Sequence, residues 1–301
     1  MDLLWQLEGI RSPFWDTVFG LITRLGEEMI LILVFCILFW CVNKRMAYVM
    51  GISFFLSSLV VQGAKIVFRV ARPWIYDPTF APVGGALQAS TGYAFPSGHT
   101  QNAAALLGSL GALLKPKAVK IILFALVILV AFSRMYLGVH FLSDVVASLA
   151  ITFLIIWFAA KVVTEEPASQ KRELLLALFL IFAAVVVITI ATILYHNGAT
   201  TPAQLRDSTR AAGAAIGFAV GMYVERMYIR FSVRSQNLPV EILKVVLGIA
   251  GVLAIQEGVR LIGTGLVINA VRYFLMVSWL TLVYPLIIKR FFTKREHASI
   301  P

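Results

Sequence analysis

Charge is what this sequence has least of. Lys, Arg, Asp and Glu together make up 14% of its 301 residues, against about a quarter in soluble domains. With 60% of the chain hydrophobic, that shortage excludes an ordinary soluble domain. Acidic residues are scarcer than basic ones, 15 against 26, for a net charge of +11. The basic residues lie in short loops between apolar runs rather than in one stripe, so no nucleic-acid partner is expected. Cysteine is nearly absent: Cys36 and Cys41 share one apolar run, which reads as core packing rather than a disulfide framework or a metal site. No basic region precedes an apolar one after Met1-Asp2, so no secretory signal peptide is expected.

What the sequence has in abundance is apolar length. Stretches of about 20 residues, each enough to cross a hydrocarbon core of roughly 30 Å, recur from end to end. The reading is an all-α polytopic membrane bundle of about nine spans, at 26–42, 47–68, 97–114, 119–139, 142–162, 173–195, 209–224, 241–262 and 266–288. Residues 1–25 are weaker. Leu3, Leu7, Ile10, Phe14, Val18 and Ile22 recur at helical spacing but Arg11, Asp16 and Arg24 interrupt them, as in an interfacial helix. The basic residues orient the chain: Lys44 and Arg45, then Lys115, Lys117 and Lys120, then Lys161, Lys171 and Arg172, then Arg226, Arg230, Arg234 and Lys244, then Lys289, Arg290, Lys294 and Arg295. They fall on alternate loops, the positive-inside signature. This places the N-terminus outside and the C-terminus in the cytoplasm of a plasma membrane or bacterial inner membrane.

Three polar clusters interrupt the apolar pattern, and on this topology all three face away from the cytoplasm. Lys65 and Arg72-Pro73 end the second span, Pro96-Ser97-Gly98-His99 open the third, and Ser133-Arg134, His140 and Asp144 surround the turn between the fourth and fifth. Ionisable groups inside a membrane are costly and mark functional sites. Lys65, Arg72 and Arg134 suit the non-bridging oxygens of a phosphate. Ser97 and Gly98, at a helix start, offer backbone N–H groups to an anion. His140 and Asp144 stand one helical turn apart, so the carboxylate reaches the imidazole and frees its other nitrogen for attack on phosphorus. His99 suits the general acid. No metal and no cofactor is expected, because these clusters hold a single carboxylate and the cations take the role a metal plays elsewhere. Each residue alone has a plainer use: a helix cap for Asp144, a snorkelling arginine. Those uses leave the joint spacing unexplained. Residues 73–95, rich in proline and glycine, form a long loop beside this chemistry and suit a substrate rim or lid.

These motifs, Lys65 to Arg72-Pro73, Pro96-Ser97-Gly98-His99, and Ser133-Arg134 to His140 to Asp144, resemble the three signatures of the type 2 phosphatidic acid phosphatase superfamily. The resemblance covers about residues 10–165. It implies a six-helix phosphatase core with its site near the outer face. It also implies His140 as nucleophile, Asp144 as its partner, His99 as acid, and Lys65, Arg72, Ser97, Gly98 and Arg134 on the phosphate. The expected activity is metal-independent hydrolysis of a lipid phosphomonoester or diphosphate, such as undecaprenyl diphosphate, through a phosphohistidine. A sugar phosphate is the alternative substrate. A lipid-phosphate transporter and a vanadate-dependent haloperoxidase are the alternatives of another class; the first needs no nucleophile and the second does not suit a many-span membrane setting. The expected domains are an interfacial helix at 1–25, the core at 26–195 and a three-helix extension at 196–301. In that extension Gly213, Gly217 and Gly221 make a small-residue face suited to close helix packing, within the chain or in a homo-oligomer. Gln256, Glu257, Arg260, Asn269 and Arg272 form a second polar set, expected to pair across two helices or to extend the headgroup site.

Overall fold

The computed structural model describes residues 1–88, 90–233 and 238–292; Arg234, Lys294 and Arg295, three of the basic residues that orient the chain, lie outside them. The described residues are helical with no strand. Where the sequence suggests one N-terminal interfacial helix there are two, Asp2–Gly9 and Pro13–Ile22, followed by a turn at Thr23–Gly26. Capping side chains set several starts. Asn43 accepts from the Met46 amide ahead of Lys44–Phe68, Ser169 from Arg172 ahead of Gln170–His196, and Thr201 from Gln204 ahead of Pro202–Val224. Each satisfies an amide that has no partner within its own helix.

The expected count of nine spans is not confirmed by helix length and apolarity. Among the described residues six helices are long and apolar enough to cross a membrane: Lys44–Tyr76, Lys117–Tyr136, Leu142–Val162, Gln170–His196, Leu238–Ile262 and Leu266–Phe292. A seventh is added if Pro13–Gly26 and Glu28–Val42, bent by 49°, count as one span. The helix at 98–113 is too short, and the helix Pro202–Val224 carries Arg206, Asp207 and Arg210 near its start and is rich in alanine and glycine. Both lean on neighbouring helices rather than on apolar length.

Two ends of the bundle carry different polar chemistry. At one, basic residues meet buried partners. Lys44 and Tyr48 both donate to Glu225, and Arg226 grips Glu173 through Nε and Nη2 at 2.9 and 3.1 Å. Lys244 donates to the Trp40 carbonyl. These residues therefore tie helices together as well as marking topology. Gly213, Gly217 and Gly221 pack against Ala270, Phe274 and Thr281 of the last helix, so closely that a Cβ at Gly217 would lie 2.6 Å from the Phe274 carbonyl oxygen. The small-residue face is thus filled from within the chain. Close packing within the chain, one of the two uses expected of this face, is the one seen.

Candidate active site

At the other end, five helix termini converge. The C-terminal part of Lys44–Phe68 brings Lys65, the start of the 98–113 helix brings Gly98 and His99, and the end of Lys117–Tyr136 brings Arg134. The turn before Leu142–Val162 brings His140, and Arg72 stands at the start of the short helix Pro73–Tyr76. All six of these residues line one cavity of about 130 Å³. The apolar pattern alone put them at span ends; the folded chain brings them together.

The hydrogen bonds settle the state of the central imidazole. Arg72 Nη1 lies 2.9 Å from His140 Nε2. A guanidinium only donates, so Nε2 accepts, and the ring proton sits on Nδ1. Nδ1 in turn faces Asp144 Oδ2 at 3.2 Å. The same carboxylate oxygen accepts from the Phe141 amide at 2.9 Å, so Asp144 both caps its helix and orients the ring. Its two roles are one arrangement. Asp144 is fully buried and stands behind the cavity wall.

Ser97 also stands behind the wall. Its backbone N–H, expected to face the anion, is donated to the Asp144 carbonyl at 3.1 Å. Its hydroxyl oxygen accepts from the Thr100 amide and hydroxyl. Ser148 closes the knot by donating to both Ser97 O and Asp144 O. Ser97 therefore fastens the helix start to the Leu142–Val162 helix. Gly98 opens onto the cavity, and a Cβ built there would meet nothing within 4 Å. His99 is braced from behind, where its carbonyl packs against Gly26 with no room for a Cβ.

The loop after Arg72 is the rim of this cavity. Arg72 donates Nε to Gly92 O and Nη2 to Thr91 O, and Lys65 Nζ donates to Tyr93 O at 2.6 Å. Arg134, 1% exposed, donates to Thr23 Oγ1 and Ser90 Oγ, while its Nε has no partner among the described residues. Neutral oxygens of the rim thus hold the cations where a phosphate would offer charged ones. A phosphate makes the stronger bonds.

Sequence reasoning missed several residues here. Gln62, Ser90, Thr91, Gln204 and Asp207 also line the cavity. Gln62 lies three residues before Lys65, hence on the same helical face. Asp207 is a carboxylate on a helix that the sequence reads as a span, a signal in its own right, and it gives the cavity a carboxylate beyond the one in the three clusters. Ser90 and Thr23 had no signal at all. The second polar set of the extension pairs within its own helices rather than across them. Glu257 bonds Arg260 and Gln256 on its own exposed helix face, and Asn269 bonds Arg272 on the next helix.

Comparison with known proteins gives this geometry a family. The model of the PAP2 superfamily matches residues 45–168, and that of the PAP2 superfamily phosphatase, transmembrane extension, matches residues 209–296. The phosphatidylglycerophosphatase B of Bacillus subtilis is 31% identical over 169 residues, which span 52% of this chain and 79% of that protein. The chain belongs to the PAP2 superfamily. It is a membrane phosphatase of that family. Two further relatives of this PAP2 phosphatase are each 27% identical. The lipid A 4'-phosphatase of Porphyromonas gingivalis matches over 54% of this chain and 71% of its own length, and the undecaprenyl-diphosphatase of Sulfolobus acidocaldarius over 44% and 62%. Among solved structures, the crystal structure of a transmembrane PAP2 type phosphatidylglycerolphosphate phosphatase from Bacillus subtilis is 28% identical, with a TM-score of 0.46, covering 53% of this chain and 82% of that one. The PAP2 model begins at residue 45, yet Thr23 and Gly26 pack on two of the motifs, so residues ahead of the matched region complete the PAP2 site here.

Proposed function

We propose that this PAP2 phosphatase hydrolyses a lipid phosphomonoester or diphosphate at the non-cytoplasmic face, without a metal, through a phosphohistidine on His140. The observation that carries the reading is the polarised imidazole: Nδ1 toward Asp144 and an unprotonated Nε2 facing the cavity, among Arg72, Lys65 and Arg134. The names of the relatives, all phosphatases of lipid phosphates or diphosphates, support the substrate class. The outer-face assignment rests on the positive-inside pattern.

In the proposed reaction the Nε2 lone pair attacks phosphorus, and the P–O bond to the lipid breaks as the N–P bond forms. The leaving oxygen takes a proton from His99, and Asp144 stabilises the positive ring. Arg72 gives up Nε2 and turns its donors, with those of Lys65 and Arg134, to the phosphoryl oxygens. Water then gives a proton to His99 and attacks phosphorus. The N–P bond breaks, inorganic phosphate leaves, and both imidazoles are restored. Replacing His140 with alanine is expected to lower turnover about 10³-fold or more. Rapid acid-free quenching of the native enzyme with a ³²P-labelled lipid phosphate is expected to trap label on protein, and no label on the variant. Near-normal turnover by the His140→Ala protein refutes the mechanism.

A further inference from the structure

A second cavity adjoins the phosphate site, and the C-terminal extension builds half of it. Its volume is about 280 Å³, and Gln62 and Asp207 line both cavities, so the two meet at this pair. The wall from the first half of the chain includes Phe35, Phe54 and Phe55; the opposite wall includes Ala214, Met276 and Leu280 of the extension. The order along each helix gives the cavity a polarity gradient. Glu28, Gln62, Asp207 and Tyr273 come at the end nearer the phosphate site, and the apolar residues follow one to three turns deeper. From Gln62 down to Gly51, both in the lining, the helix descends about 16 Å at 1.5 Å per residue. That is about the hydrocarbon depth of one leaflet, half of roughly 30 Å. At the junction Arg210 pairs with Asp207 at 3.4 Å, while its buried Nε has no partner among the described residues. The Gln204 amide nitrogen donates to Gln62 at 2.8 Å, tying the extension to the core beside the opening.

We infer that this cavity receives one hydrocarbon chain of the substrate, running from the phosphate past Gln62 and Asp207 toward the middle of the membrane, with Arg210 Nε donating to an oxygen that links chain to phosphate. The inference rests on the reading of the site as a lipid phosphatase and specifies which surface selects the lipid. Contiguity is its main support. A phosphate seated against His140 leaves its ester oxygen near the shared residues, where an apolar channel of leaflet depth begins. An apolar cavity of about 150 Å³ takes a benzene ring; this larger one suits a segment of chain.

Two experiments test it. The first compares kcat/KM for dioleoyl phosphatidic acid in detergent micelles with that for p-nitrophenyl phosphate, in Ala214→Phe and Val277→Phe proteins. Both residues line the cavity. The ratio of the two values is expected to fall at least about tenfold, the loss when two or more methylenes no longer enter an apolar site. An unchanged ratio in folded variants overturns the proposal. The second needs neither variant nor turnover: a phosphatidic acid with a mid-chain diazirine is photolysed on the native protein. Label on Phe55, Ala214 or Met276 supports the chain site, and label confined to membrane-facing residues such as Trp157 overturns it. If the native protein hydrolyses neither phosphate, the phosphatase reading has failed, while the crosslink still reports on the cavity.

Discussion

Asparagine at position 144 separates catalysis from capping in one substitution. Asp144 Oδ2 accepts from two donors, His140 Nδ1 at 3.2 Å and the Phe141 amide at 2.9 Å. An asparagine oxygen keeps the Phe141 bond, so the cap survives and the change in stability is expected to stay within a few tenths of a kcal/mol, asparagine and aspartate being similar caps. The imidazole fares differently. The same oxygen still faces Nδ1, but a neutral amide is a weaker acceptor than a carboxylate and polarises the ring less. The positive ring formed on attack has lost its counter-charge. The comparable aspartate-to-asparagine change in a serine protease costs roughly 10⁴-fold in kcat, or about 5.4 kcal/mol of barrier. A fall of about 10³- to 10⁴-fold in kcat is expected here, with KM changed less than about threefold, because Lys65, Arg72 and Arg134 still bind the phosphate. Phosphate release from purified protein in detergent measures both constants, and thermal unfolding checks the cap. Activity within about tenfold of the parent, at equal stability, would refute the assignment of Asp144 to His140 and leave only the cap.

Three further outcomes are expected. Activity persists in EDTA and is inhibited by vanadate, because three cations converge on a seat for a trigonal-bipyramidal phosphate mimic; loss in chelator with recovery on adding magnesium or manganese counts against this chemistry. A cysteine placed at exposed Gly84, on the rim loop, reacts with an impermeant thiol reagent in intact cells, and one at exposed Lys117 does not; the reverse pattern inverts the topology. Glu173→Ala leaves Arg226 buried without its carboxylate partner and is expected to cost about 3–5 kcal/mol, read as a lowered midpoint of unfolding far from the phosphate cavity; an unchanged midpoint shows that the pair holds nothing together.

The sequence by itself determined a great deal about this protein. Apolar length made it a helical membrane bundle, since only helices satisfy every backbone group within hydrocarbon. The spacing of Lys65, Arg72, His99, Arg134, His140 and Asp144 marked its polar end as the candidate phosphate site, because costly intramembrane charges in that order have no plainer joint use. Most helix boundaries were also legible, from capping residues and apolar runs. Other features depended on distance in space, which sequence spacing does not encode. The helices at 98–113 and Pro202–Val224 were expected as spans in their own right, and tertiary packing rather than apolar length accounts for them. Only the folded chain gave the Ser97 amide to Asp144 O, and brought Thr23 and Ser90 to Arg134 from 111 and 44 residues away. Only the folded chain turned the glycine face of the extension inward onto the last helix. The same packing brought Gln204 and Asp207 to the cavity, because a helix too polar to stand alone in lipid is stable where its charged end meets the polar site and its small residues meet another helix.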